Sequence, residues 1–219
     1  MKNIDKPYLD SIHQVQEQLT SSYNSFFSYP FDLAKSDISE VIILRLQAYY
    51  ASQNVIKQLL GKGYAAAGAD FFVETVLFFV KLYLKQQLPN LQAVSEREIL
   101  LYKYKDNKNK TRRKVIRPDI TIKDGENIYA TIECKTQLGR SRTTWEDEYN
   151  AKKERLKQKY PNAKTFLLVM TENNWGGFGN TKEVGVEHFS LLKKGVWPTN
   201  YNNATQIRTR IELFLRLQY

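Results

Sequence analysis

Two short runs in the 219-residue sequence carry side chains that could do chemistry together: Arg117-Pro118-Asp119 and, fourteen positions beyond Asp119, Glu133-Cys134-Lys135. Side chains alternate along a strand, so Glu133 and Lys135 project from one face while Cys134 points to the other, into apolar packing. A hairpin centred on Glu126, with Gly125 supplying a permissive backbone, places Asp119 opposite Glu133. Opposed residues have Cβ atoms about 5 Å apart, and two carboxylates so placed repel unless a cation or a shared proton relieves them. Oxygen ligands with retained waters are what magnesium accepts, so Asp119, Glu133 and the backbone carbonyl of Cys134 are the expected metal ligands. Phosphodiester hydrolysis needs an activated water and a counter-charge for the transition state, the first from the metal and the second from metal and Lys135 together. Gln137 falls on the same face if the strand continues, within reach of water or phosphate. The competing structural reading is a surface hairpin with a cross-strand ion pair, a poor explanation for two carboxylates on neighbouring apolar strands.

The elements that must position these groups follow from periodicity. Ile12, Val15 and Leu19 recur at helical spacing, as do Ile38, Val41, Ile42, Arg45 and Tyr49 on a segment that Ser36 or Asp37 could cap. A third helix spans Ala69 to Gln87, is apolar nearly all round and stops before Pro89. Glu74 sits in it among Phe71, Phe72, Val73, Val76 and Leu77, where an unpaired charge is strongly disfavoured. Strands are predicted at Glu98 to Tyr104, Lys114 to Lys123 and Ile128 to Lys135, as an antiparallel meander. A helix from Trp145 to Tyr160, a buried strand from Phe166 to Met170, an edge strand within Val184 to Leu192 and a terminal amphipathic helix carrying Ile207, Ile211, Phe214 and Leu215 complete the chain.

Charge points the same way. Thirty-three Lys and Arg against 23 Asp and Glu give +10, the footprint of a protein that meets a phosphate backbone. Arg140 and Arg142 follow the motif closely enough to contact DNA. Lys152, Lys153, Arg155 and Lys157 read equally well as a solvated helix face paired with neighbouring glutamates. Asn173, Asn174 and Trp175 combine amides that can read base edges with an aromatic that can stack, although Asn and Gly also build turns unaided. His13 and His188 lack partners at ligand spacing. One cysteine allows no internal disulfide and fits a reducing cytoplasm. The first ten residues show no secretory pattern and no stretch is apolar enough to span a bilayer, so a cytoplasmic protein without membrane contact is expected.

Pro118-Asp119 followed by Glu133-Cys134-Lys135 resembles the PD-(D/E)xK nuclease superfamily, a likeness covering roughly residues 69 to 171. The resemblance implies an α/β restriction-endonuclease-like core, a central mixed sheet flanked by helices, here with an added N-terminal helical region. It implies one nuclease domain over 1–219, divided into an N-terminal helical region (1–68), a catalytic core (69–171) and a loop-rich end (172–219). By the same resemblance Asp119 and Glu133 are metal ligands, Lys135 is the catalytic lysine, and Glu74 matches a helix glutamate that some members use. The chain looks most like a type II restriction endonuclease, which implies magnesium, double-stranded DNA and a homodimer. A repair or structure-specific nuclease on the same core, and a DNA-binding module without activity, are the alternatives. Single alanine substitutions at Asp119, Glu133 or Lys135 are expected to leave folding nearly intact while abolishing cleavage.

Overall fold

The structure is a computed structural model, which describes residues 6–33, 36–61, 68–138, 142–173 and 184–211. The chain forms two compact units, Met1–Ser36 and Asp37–Tyr219. The first is helix α1 (Lys6–Ser28), none of whose residues is buried.

The second unit begins at α2 (Ile38–Leu60), whose N-terminus is capped as anticipated: the Asp37 carboxylate accepts from Glu40 N–H at 3.0 Å. Helix α3 (Ala69–Gln87) has the predicted bounds. It is entered through Gly68, which adopts φ +73, and a Cβ there would lie 2.9 Å from the Tyr49 ring. Leu88 and Pro89 end it.

Seven strands follow: β1 (Gln92–Ser95), β2 (Ile99–Lys105), β3 (Thr111–Ile116), β4 (Ile120–Asp124), β5 (Asn127–Lys135), β6 (Lys164–Thr171) and β7 (His188–Leu192). Helix α4 (Arg142–Lys159) links β5 to β6. Five strands make a mixed sheet in the order β1-β4-β5-β6-β7, and β2 with β3 forms a separate two-stranded ribbon. The pairs β1/β4 and β4/β5 are antiparallel, whereas β5/β6 and β6/β7 are parallel. Tyr149 of α4 packs with Leu138, Leu167 and Val169, so α4 covers the face that Glu133 and Lys135 share. Ile132, Cys134, Phe166 and Leu168 are buried on the opposite face, which falls to α3, in contact with β1 and β5.

Three sequence expectations change. The predicted strand from Lys114 to Lys123 is two strands in two sheets, because Pro118 has no N–H to continue a ladder and restricts Arg117 before it. The antiparallel meander is therefore β1, β4 and β5, with the ribbon inserted between its first two members. Ile207 is not helical: it bridges Leu192, and Arg208 and Thr209 donate to Leu191 and Ser190, covering the edge of β7. Of the C-terminal helix, residues 212–219 lie outside the described residues.

Candidate active site

The turn that sets the register of β4 against β5 is Gly125-Glu126, closed by the pair Asp124↔Asn127, with Gly125 at φ +55. The register shifts once, between Ile122 and Lys123, and beyond that point Ile122, Thr121 and Ile120 oppose Ala130, Thr131 and Ile132. Asp119 is the next residue along, and the same register carries it to Glu133. Its side chain leans across β5: Asp119 Oδ2 accepts from the backbone N–H of Cys134 at 2.7 Å. Its backbone carbonyl is fixed from the other side, by Glu96 N–H at 3.2 Å and Ser95 Oγ at 3.1 Å. Asp119 is thus stitched to β1 and β5 at once, and because its carboxylate satisfies a ladder donor, an alanine there is expected to cost stability as well as chemistry.

Lys135 Nζ lies 3.6 Å from Asp119 Oδ2 and 3.6 Å from Glu133 Oε2, so one ammonium stands between the two carboxylates. Glu133 is enclosed, with 13% of its side chain exposed, and its other oxygen, Oε1, meets Lys152 Nζ of α4 at 3.3 Å. Two carboxylates and two ammonium groups therefore share one cluster at the edge of α4, open to solvent through the half-exposed lysines. Lys152 is a member that sequence reasoning left on a solvated face. Its neighbour Lys153 is buried against Glu187. A lysine ten positions into a helix can be assigned to Glu133 only once the β5-α4-β6 crossover is known.

Cys134 has no part in this chemistry as a nucleophile. Its side chain is buried on the far face, and burial pushes the thiol well above its usual range, with the Asp119 and Glu133 carboxylates adding to the rise against Lys135.

Other expected site residues are placed as follows. Glu74 pairs with Arg45 of α2 at 3.0 Å, and the Arg45 guanidinium lies over the Phe71 ring at 5.2 Å. Among the described residues no three His, Cys, Asp or Glu side chains gather as a ligand set, so Glu74 does not join Asp119 and Glu133 there. Gln137 is exposed in a bend, because β5 ends at Lys135 and the alternation that would align it is broken. Asn173 is held at the end of β6, where its Oδ1 accepts from Gly195 N–H at 2.9 Å. Arg142 opens α4, and its side chain, with Arg140, Asn174 and Trp175, lies outside the described residues. His188 is buried beside the Tyr149 ring, and His13 is exposed.

A metal ion fits this donor set in one respect the structure shows directly: a cationic group already sits between the two carboxylates. Asp119, Glu133 and the Cys134 carbonyl offer hard oxygen donors, and the Cys134 sulfur is buried on the other face.

No protein-family model matches the chain, and no curated protein matches it. Solved structures do, among them a chain of the native BbvCI A2B2 tetramer, with 12% identity, a TM-score of 0.34, and coverage of 92% of this chain and 93% of that one. At that degree of likeness it adds no weight to the site, which stands on its own geometry. Among the described residues no helix is long and apolar enough to cross a membrane.

Proposed function

We propose that this chain is a magnesium-dependent type II restriction endonuclease, a cytoplasmic homodimer that hydrolyses phosphodiester bonds of double-stranded DNA at a specific site and leaves 5′-phosphate ends. One observation carries the reading: Asp119 and Glu133 meet from adjacent strands with Lys135 Nζ 3.6 Å from each. For stability alone this is a poor arrangement, since half-exposed ion pairs contribute about 0–1 kcal/mol while opposed carboxylates repel.

Asp119, Glu133 and the backbone carbonyl of Cys134 are the residues that would hold the metal. When bound, magnesium supplies a more acidic water and a counter-charge for a phosphate oxygen. Lys135 is placed to hold the attacking water by hydrogen bonding and to offset charge as it builds on the phosphate. Asp119 is oriented before substrate arrives, because both its carboxylate and its carbonyl are already committed to neighbouring strands. Arg140, Arg142, Asn173, Asn174 and Trp175 are the residues proposed to touch DNA around it.

The test is to incubate the protein with genomic DNA and magnesium and sequence the ends. Discrete fragments sharing one terminal sequence are expected, and Asp119→Asn should yield none. Absence of any magnesium-dependent product, or cutting of branched substrates alone, would overturn the assignment.

A further inference from the structure

The ribbon formed by β2 and β3 does something the catalytic cluster does not explain. Between Tyr102 and Lys114 it holds seven lysines and arginines against one carboxylate, a net +6 out of +10 for the whole chain. The lone carboxylate, Asp106, is turned inward: it accepts from the N–H groups of Lys108 and Lys110 and from Arg112 Nε, each at 2.9 Å. These bonds shape the tip, where Asn109 takes φ +56, and they leave the outer surface of the ribbon cationic.

The base of the ribbon is anchored and the remainder is not. Ile99, Leu101 and Ile116 are buried with Leu156 and Ala163, whereas Tyr102 and Tyr104 are 50% and 48% exposed. A bulge between Leu100 and Tyr102 separates the two halves, which bends and twists the ribbon at that point. Directly opposed residues share a face, so Tyr102 with Lys114 and Tyr104 with Arg112 lie on one side, and Lys103 with Arg113 on the other. Each side carries cations, and the two tyrosine rings stand 6.1 Å apart. A strand shielding itself from aggregation needs a few lysines. It does not need like charges directly opposite each other, as Lys103 and Arg113 are, because that pairing is destabilising without an external anion.

We propose that this ribbon is a duplex-DNA-binding arm that lies along the major groove, with its lysines and arginines on phosphates and Tyr102 and Tyr104 against the groove wall. The choice of partner rests on the proposed action on double-stranded DNA. A two-stranded ribbon fits a groove about 12 Å wide. Ile116 is three positions from Asp119, at most about 10 Å of chain, and six more positions reach Lys110, about 20 Å along the strand. The cations therefore lie within about 30 Å of Asp119, less than one turn of a duplex.

The test is fluorescence anisotropy of the full chain with a labelled 30-base-pair duplex in EDTA, over a series of salt concentrations, for Lys103→Gln/Arg113→Gln and for Lys108→Gln/Lys110→Gln. Each double variant is expected to make the slope of log K against log salt shallower by up to about 2 and to weaken binding at least several-fold. Circular dichroism melts check that loss of exposed charge leaves the fold intact, and the second variant stands in should the first not fold. Unchanged slopes in both variants overturn the proposal, as does binding to single-stranded DNA or RNA as tight as to the duplex. Because no metal is present, DNA binding that depends on the ribbon can stand even if the chain never cuts. Conversely, magnesium-dependent cutting with unaltered binding by both variants sinks the arm and leaves the nuclease.

Discussion

Replacing Asp119 separates its part in the fold from its proposed part in the chemistry. Its Oδ2 accepts from Cys134 N–H at 2.7 Å, in a residue only 4% exposed, so Asp119→Ala leaves a buried backbone donor without its acceptor. That costs about 1–3 kcal/mol. The ion pair to Lys135, at 3.6 Å and with 43% of the lysine side chain exposed, adds at most about 1 kcal/mol and is offset by relief of repulsion with Glu133. A net loss of about 2 kcal/mol lowers the melting temperature by roughly 4–8 °C in a chain of this size. Asp119→Asn keeps an oxygen in the same place and should melt within about 2 °C of the parent, since the amide oxygen still accepts the bond. Calorimetric melts at neutral pH, paired with cleavage assays, read both effects: both variants lose cutting, and only the alanine loses stability. An alanine variant that melts with the parent, or an asparagine variant that falls as far as the alanine, would refute the bond to Cys134 as the anchor of the site.

Three other perturbations test neighbouring groups. Lys152→Gln removes one of the two ammonium groups on Glu133, so calorimetric titration with manganese should show tighter cation binding by a few-fold, with less than about 1 kcal/mol of stability lost. Weaker cation binding would mean that Lys152 does not compete for that oxygen. Glu74→Ala strips the carboxylate from Arg45, whose side chain is 12% exposed, and is expected to cost about 1–3 kcal/mol while cleavage per folded molecule is retained; lost cleavage at an unchanged melting temperature would place Glu74 in the chemistry instead. Cys134 should resist iodoacetamide at pH 8 and react once urea unfolds the chain. Its folded thiol titrates above the unfolded one, so the stability this contributes is complete below the unfolded pKa and fades only as pH rises past it. Rapid labelling of the native protein would contradict its burial.

The features legible in the sequence were those fixed by local rules. Asp37 caps α2, α3 has its predicted bounds, and the β4/β5 hairpin lies where expected, although its turn is Gly125-Glu126 and the register shift between Ile122 and Lys123 is what brings Ile120 opposite Ile132 and carries Asp119 to Glu133. What stayed hidden was tertiary. Strand β1 has four residues, too short to show alternation, and exists through its pairing with β4. The break at Arg117-Pro118 separates two sheets, yet an apolar run on both sides reads as one strand. Lys152 and Lys153 are consecutive on α4 but reach Glu133 and Glu187, partners that no spacing within the helix could identify.

The topology also explains why the candidate site lies where it does. Strands β5, β6 and β7 run parallel, so the segments that follow β5 and β6 leave from one end of the sheet. Strand β4 runs against β5, so its first residues lie at that same end. Asp119, just before β4, and Glu133 and Lys135, finishing β5, meet there. The segment leading into α4 and the turn at Asn173 after β6 depart from the same rim, where ligands of open α/β sheets bind. The junction of antiparallel and parallel pairing at β5 is what allows a residue entering one strand and residues leaving the next to converge. Had β4 run parallel to β5, Asp119 would stand at the opposite end, five residues or about 17 Å away, and no side chain could close that gap. A circular permutant that preserves β1 to β6 should therefore keep the cluster, whereas any insertion that shifts the β4/β5 register by one residue turns Asp119 to the α3 face and abolishes it.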